Sequence, residues 1–273
     1  VAAAKKSDVA IVFAGSNRLV ETEAEDRKGL KLPFAQEELI KAVKAANPNT
    51  IVVMVAGAPY DVSGIHATVD ALIWSWFNGS RAGDALADVL FGDVNPSGKL
   101  PVTFPKKLED SPAHATNSFP GGPDVVNYEE GILIGYRWFD TKNVEPFYPF
   151  GFGLSYTNFA YGEVSVGEVS NGMIKISLDV TNTGESDGKE IVQVYFSKEG
   201  SDVERAAKEL KAFTKVDLKA GESKTVTIEV PVQELAYYDV AASDWKVESG
   251  EYKVLVGASS RDIREETLVS IND

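Results

Sequence analysis

Residues 8–15 read "DVAIVFAG", a short run rich in Val and Ile and apolar on both faces. A strand that meets water on one side alternates apolar and polar residues. An unbroken apolar run suits a strand buried between two layers, as in a parallel sheet. The same grammar returns at 50–57, "TIVVMVAG", and in a more aromatic form at 69–77, "VDALIWSWF". Between the first two lies "FAQEELIKAVKAAN" (34–47), with Phe34, Leu39, Ile40, Val43 and Ala46 near helical spacing. Pro33 marks its start and "NPN" (47–49) its stop. A second helix is expected over "DALADVLFG" (84–92), opening on Asp84 and ending at Gly92. Strands alternating with helices predict an α/β sandwich over residues 1–105, a mostly parallel sheet with helices on both faces.

The grammar changes further along. "MIKISLDVTNTG" (173–184), "KEIVQVYFS" (189–197), "KTVTIEVP" (224–231) and "GEYKVLVGAS" (250–259) alternate apolar and polar residues, with turn signals such as "NTG" and "KAGES" between them. That pattern predicts an all-β sandwich over 161–273. Residues 106–160, rich in Pro and Gly, read as a connector.

Composition narrows the function classes. With 27 basic and 41 acidic residues the net charge is −14, which disfavours nucleic acid or an anionic membrane surface as partner. A neutral ligand such as a sugar escapes that objection. The absence of cysteine excludes disulfides, thiolate metal sites and cysteine nucleophiles, and two histidines cannot build a multi-histidine metal centre. No apolar run approaches the roughly 20 residues of a membrane-spanning helix. The compartment stays open, with export favoured over the cytoplasm. The opening "VAAAKKSD" lacks an initiator Met and a signal peptide, and reads as a processed or excised piece of something longer.

In open α/β sheets ligands sit beyond the carboxyl ends of the strands. Three loops leave those ends: 15–33, 57–66 and 78–83. The first is long for its class and holds "ETEAED" (21–26), four carboxylates in six residues. Three readings fit it: a solvated acidic loop, a cation site, or a carboxylate for general acid/base work. The calcium reading is weak, because the oxygen-ligand spacing and central Gly of an EF-hand are missing. "NGSRAG" (78–83) lacks the Lys and spacing of a phosphate loop. Trp74 and Trp76 share a face, where core packing is the default. Trp76 and Phe77 nevertheless lie where an aromatic ring can stack on a sugar.

Taken together, several segments resemble glycoside hydrolase family 3, the β-glucosidase and β-xylosidase family. They are "VETEAEDRKGLKLPFAQEELIKAV", "VLFGDVNPSGKLPVTFP" (89–105), "YEEGILIGYRWFD" (128–140) and "EPFYPFGFGLSYTNF" (145–159), followed by "VTNTGESDGKEIVQVYFS" and "ESGEYKVLVGASSRDIR". The resemblance runs the length of the chain, in order. It implies the sandwich domain that follows the family's (β/α)8 barrel, and then a fibronectin type III-like domain. It implies a retaining, exo-acting β-glycosidase, most simply a β-glucosidase, with no cofactor. The nucleophilic Asp would lie on a barrel absent from this chain, and the acid/base would be Glu23, with Glu21 as runner-up. Trp76 and Arg81 are implied as sugar contacts, and the barrel portion of the same enzyme as the protein partner.

The sequence departs from the family pattern in two places. Ala24 stands where a Gly usually follows the acid/base, and "GSRAG" replaces a Gly-Gln-Glu-Gly-Gly segment, so Ser80 and Arg81 differ from the polar residues expected there. The family also places a further strand and helix before "AAAKKSDVAIVFAG", so the sheet is expected to show an unpaired edge. A non-catalytic carbohydrate-binding or assembly module that keeps the fold is the competing reading, and a calcium-stabilised structural domain is a third.

Overall fold

The computed structural model describes residues 1–272. Two compact units are present, Val1–Asp93 with Phe104–Asp110, and Val94–Thr103 with Ser111–Asp273.

The first unit is built on three parallel strands, β1 (Ala10–Gly15), β2 (Thr50–Val55) and β3 (Ala71–Trp74), in the order β1-β2-β3. Pairing runs in register from Ala10 opposite Thr50 to Gly15 opposite Val55. Helix α1 (Gln36–Ala46) buries Ile40 and Val43 and packs against β1 and β2. Helices α2 (Ser63–His66) and α3 (Ala82–Phe91) follow β2 and β3. The stop signal after α1 is heavily satisfied. Asn47, 3 % exposed, donates its amide to the Ala4 and Ser7 carbonyls and accepts from the Asn49 N–H. Gly92 closes α3 with φ +84°, a left-handed position that glycine fills without strain.

Some boundaries moved. The first helix starts at Gln36, not Phe34, because Phe34 and Ala35 both turn left-handed, with φ +58° and +55°. The third strand stops at Trp74, and Trp76 turns left-handed at φ +57°. β1 pairs only with β2 among the described residues, and Ile11 and Phe13 on it are exposed.

In the second unit, short helices α4 (Pro112–Ala115) and α5 (Tyr136–Thr141) precede the strands. The strands are β4 (Phe159–Tyr161), β5 (Ser165–Val166), β6 (Met173–Asn182), β7 (Gly188–Ser197), β8 (Glu209–Leu218), β9 (Ser223–Pro231), β10 (Tyr237–Asp239), β11 (Asp244–Lys246), β12 (Gly250–Gly257) and β13 (Ile263–Ile271). One antiparallel sheet has the order β13-β12-β7-β8. In a second, β6 pairs with β9 and with both short strands β4 and β5, and β10 pairs with β11 in a separate two-stranded ribbon. Alternation does what the sequence implied: Ile174, Ile176, Leu178 and Val180 of β6 meet Val192, Val194, Val254 and Val256 of the facing sheet in one core. The fold is therefore an α/β sandwich unit together with an all-β, fibronectin type III-like sandwich.

The segment 94–103 packs within the second unit. Asn95 Oδ1 accepts from Ser155 Oγ and the Tyr156 N–H, and Leu100 exchanges backbone hydrogen bonds with Phe152 and Gly151. Lys99 donates to the Gly153 carbonyl and lies 3.4 Å from the buried Glu190 carboxylate, which also accepts from Tyr161.

Candidate active site

The loop between β1 and α1 is fixed at both ends. Gly15 ends β1 with φ +135°, and a Cβ there would collide with the Val55 backbone. Gln36, the first residue of α1, donates Nε2 to the Gly15 carbonyl at 2.8 Å and accepts the Gly15 N–H at 2.6 Å. The Gln of the "LPFAQ" segment thus ties the start of the helix back to the end of the strand.

Within the loop, Thr22 and Glu25 form an isolated antiparallel bridge, leaving Glu23 and Ala24 as a two-residue tip. Ala24 has φ +66°, the left-handed position that a tight turn assigns to glycine. A glycine at this position would have a backbone reason. Glu23 is exposed, and its carboxylate has no hydrogen-bond or ion-pair partner among the described residues.

Glu21 is different. Ser16 Oγ donates to its Oε2 in a short hydrogen bond, and the Tyr60 hydroxyl lies 3.5 Å from the same oxygen. Its other oxygen rests where a Cβ on Gly57 would fall, with the Phe77 ring 2.9 Å from that point. Glu21, Gly57 and Phe77 thus meet where the loops after β1, β2 and β3 come together. Arg27 leaves the turn on the other side. Its guanidinium lies 4.3 Å from the centre of the Tyr60 ring, and Nη2 donates to the Pro59 carbonyl at 3.0 Å. A cavity of about 420 Å³ beside them is lined by Leu19, Val20, Glu25, Arg27, Lys31 and Tyr60, among others.

The two remaining sequence candidates lie after β3. Trp76 packs edge-on against Trp74 and Phe104, at 6.1 and 6.3 Å between ring centres. Arg81 pairs with Asp84 at 2.6 Å, and its side chain is 85 % exposed. Among the described residues no group of three or more His, Asp or Glu is arranged to hold a metal ion. Gln36 was visible in the sequence as the Gln of "LPFAQ", whereas Ser16, Gly57 and Tyr60 were not among its site candidates. The only signal for the last two was their place in "AGAPY", the loop leaving the second strand.

A parallel sheet with an acidic turn at its carboxyl edge, accompanied by a fibronectin-like sandwich, is an arrangement that the comparisons identify. Residues 1–156 match the glycosyl hydrolase family 3 C-terminal domain and residues 190–260 the fibronectin type III-like domain, so the chain belongs to glycoside hydrolase family 3. It is 47 % identical over 273 residues to thermostable beta-glucosidase B of Acetivibrio thermocellus, covering 99 % of this chain and 36 % of that protein. It is 42 % identical over 271 residues to an exo-alpha-(1->6)-L-arabinopyranosidase of Bifidobacterium breve, again covering 99 % and 36 %. The crystal structure of the Bifidobacterium adolescentis GH3 beta-glucosidase superposes with a TM-score of 0.92 at 42 % identity, covering 98 % of this chain and 40 % of that one. The chain therefore spans a little over a third of the length of these relatives.

Proposed function

We propose that this chain supplies the general acid/base, Glu23, of a retaining, exo-acting β-glucosidase whose nucleophile comes from a (β/α)8 barrel outside the chain. The observation that carries the reading is the contrast between two carboxylates. Glu21 is committed to Ser16, whereas Glu23 stands unpartnered at the tip of its turn. A residue that must give a proton and later take one needs a carboxylate free to meet the substrate.

In this mechanism Glu23 protonates the leaving glycosidic oxygen while the nucleophile, about 5–5.5 Å away, attacks the sugar. Glu23 then removes a proton from the water that releases the glycosyl-enzyme. Exposed Ile11 and Phe13 on the edge strand support a protein companion. Phe77, and with it Trp76 and Arg81, are the candidates for contact with sugar on the leaving-group side. The relatives matched over this portion are named for two different sugars, so similarity here does not by itself fix the glycone.

The test is Glu23→Ala in the polypeptide joined to the N-terminal portion its relatives carry. Turnover of an alkyl β-glucoside should fall about 10²–10⁴-fold. A dinitrophenyl glucoside should suffer less, and azide should restore part of its turnover. Normal kinetics there, with the defect in Glu21→Ala instead, would move the role to Glu21. If the joined wild-type polypeptide hydrolyses no glycoside, the binding-module reading replaces this one.

A further inference from the structure

We infer that Tyr60 and Arg27 form a clasp that positions the Glu23 turn, making both positioning residues for the reaction; this rests on the reading of Glu23 as acid/base. A two-residue tip closed by one bridge has little of its own to fix it, since neither Glu23 nor Ala24 is buried. Its two stems must be held from outside, and both are held at the same residue. On the entering side Glu21 accepts from Ser16 and lies 3.5 Å from the Tyr60 hydroxyl. On the leaving side Arg27 covers the Tyr60 ring at 4.3 Å and donates to the preceding carbonyl, that of Pro59. Further along the loop, the Leu30 carbonyl accepts the Asp61 N–H at 2.7 Å, so the two loops stay registered on either side of Tyr60.

Tyr60 is only 4 % exposed, so its ring is a fixed platform rather than a mobile side chain. Arg27 suits the platform because its guanidinium is planar and can stack while donating in its own plane; a lysine ammonium cannot do both. The consequence is catalytic, since a general acid misplaced by about 1 Å costs on the order of 100-fold in rate.

The experiment compares Arg27→Lys with wild type in the joined polypeptide, using an alkyl β-glucoside and a dinitrophenyl β-glucoside. The clasp predicts that kcat falls about 10–100-fold for the alkyl substrate with KM nearly unchanged, and by much less for the dinitrophenyl substrate. An equal loss on both substrates, or no loss on either, overturns it. Tyr60→Leu, which removes the platform, should give the same leaving-group pattern. If that variant unfolds, Arg27→Lys alone decides, because it alters a half-buried side chain and preserves the charge. Glu23→Ala run in parallel separates the two ideas. Leaving-group dependence in Glu23→Ala but not in Arg27→Lys removes the clasp alone; its absence from Glu23→Ala removes the acid/base reading itself. In the chain on its own, hydrogen exchange at the Asp61 amide, which donates to the Leu30 carbonyl across the two loops, should quicken in Arg27→Lys while that of β2 is unchanged. Unaltered exchange at the Asp61 amide also overturns the clasp.

Discussion

The Gln36 side-chain amide pairs with the Gly15 backbone in both directions, donating to its carbonyl at 2.8 Å and accepting its N–H at 2.6 Å. That reciprocal pair closes the loop of residues 16–35 on itself, joining positions 21 apart. Gln36→Leu removes both bonds and leaves two part-buried backbone groups poorly satisfied. We expect a loss of about 2–3 kcal/mol, read as a lower urea midpoint for the first unit, with exchange in residues 16–31 quickening first.

Gly57 keeps Glu21 in place by lacking a side chain. Gly57→Ala puts a methyl group where the Glu21 carboxylate rests, beside the Phe77 ring. The flexible Glu21 side chain moves before the backbone does, so stability should change by less than about 1 kcal/mol. Turnover in the joined polypeptide should nevertheless drop about tenfold, since the displaced carboxylate releases one stem of the turn. A large loss of stability with normal turnover would contradict this.

Ala24 sits at φ +66° in the tip of the turn. An L-residue pays roughly 1–2 kcal/mol for the left-handed conformation, and glycine avoids that cost while giving up about 0.5–1 kcal/mol in chain entropy. Ala24→Gly should therefore be neutral or stabilising by up to about 1 kcal/mol in thermal or urea unfolding. Ala24→Val should be clearly destabilising.

In the second unit, burial works to raise the pKa of Glu248, but hydrogen bonds from Ser201, the Asp202 N–H and Arg205 outweigh it and hold the carboxyl below its ordinary 4.5. A group whose folded pKa is depressed stabilises the fold above its unfolded value and loses that contribution as pH falls through the folded one. The stability advantage of wild type over Glu248→Gln should thus be full at pH 7 and shrink from about pH 4.5 downward. Thermal midpoints of the two proteins across pH 3–7 measure it. Arg205→Ala at pH 7 should cost about 1–3 kcal/mol, because Glu248 loses its charged donor and the Leu235 carbonyl loses its partner, while Ser201 and the Asp202 N–H still hold the carboxylate.

Much of the fold was legible in the sequence because its signals are local. Continuous apolar runs located β1 and β2, and alternation located β6, β7, β9 and β12. The strands β8 and β13 escaped the alternation reading, and Glu209–Leu218 is partly exposed along most of its length, so its burial pattern is weak. The shortened β3 and delayed α1 escaped for another reason. Both are set by left-handed turns at Trp76, Phe34 and Ala35, residues whose types do not announce that conformation.

The site divides in the same way. Order along the chain determined the α/β character of the first part, the long acidic loop at the carboxyl end of β1, and the pairing of "ETEAED" with "LPFAQ". The family resemblance ranked Glu23 ahead of Glu21, but nothing in the sequence showed a physical difference between two carboxylates of the same chemistry two residues apart. Only the tertiary structure distinguished them. It brought Ser16 and Tyr60 to Glu21, and it left Glu23 at the tip of a turn closed by Thr22 and Glu25. Such contacts join residues up to 39 positions apart. They exist only once parallel pairing of β1 with β2 has brought their two following loops side by side.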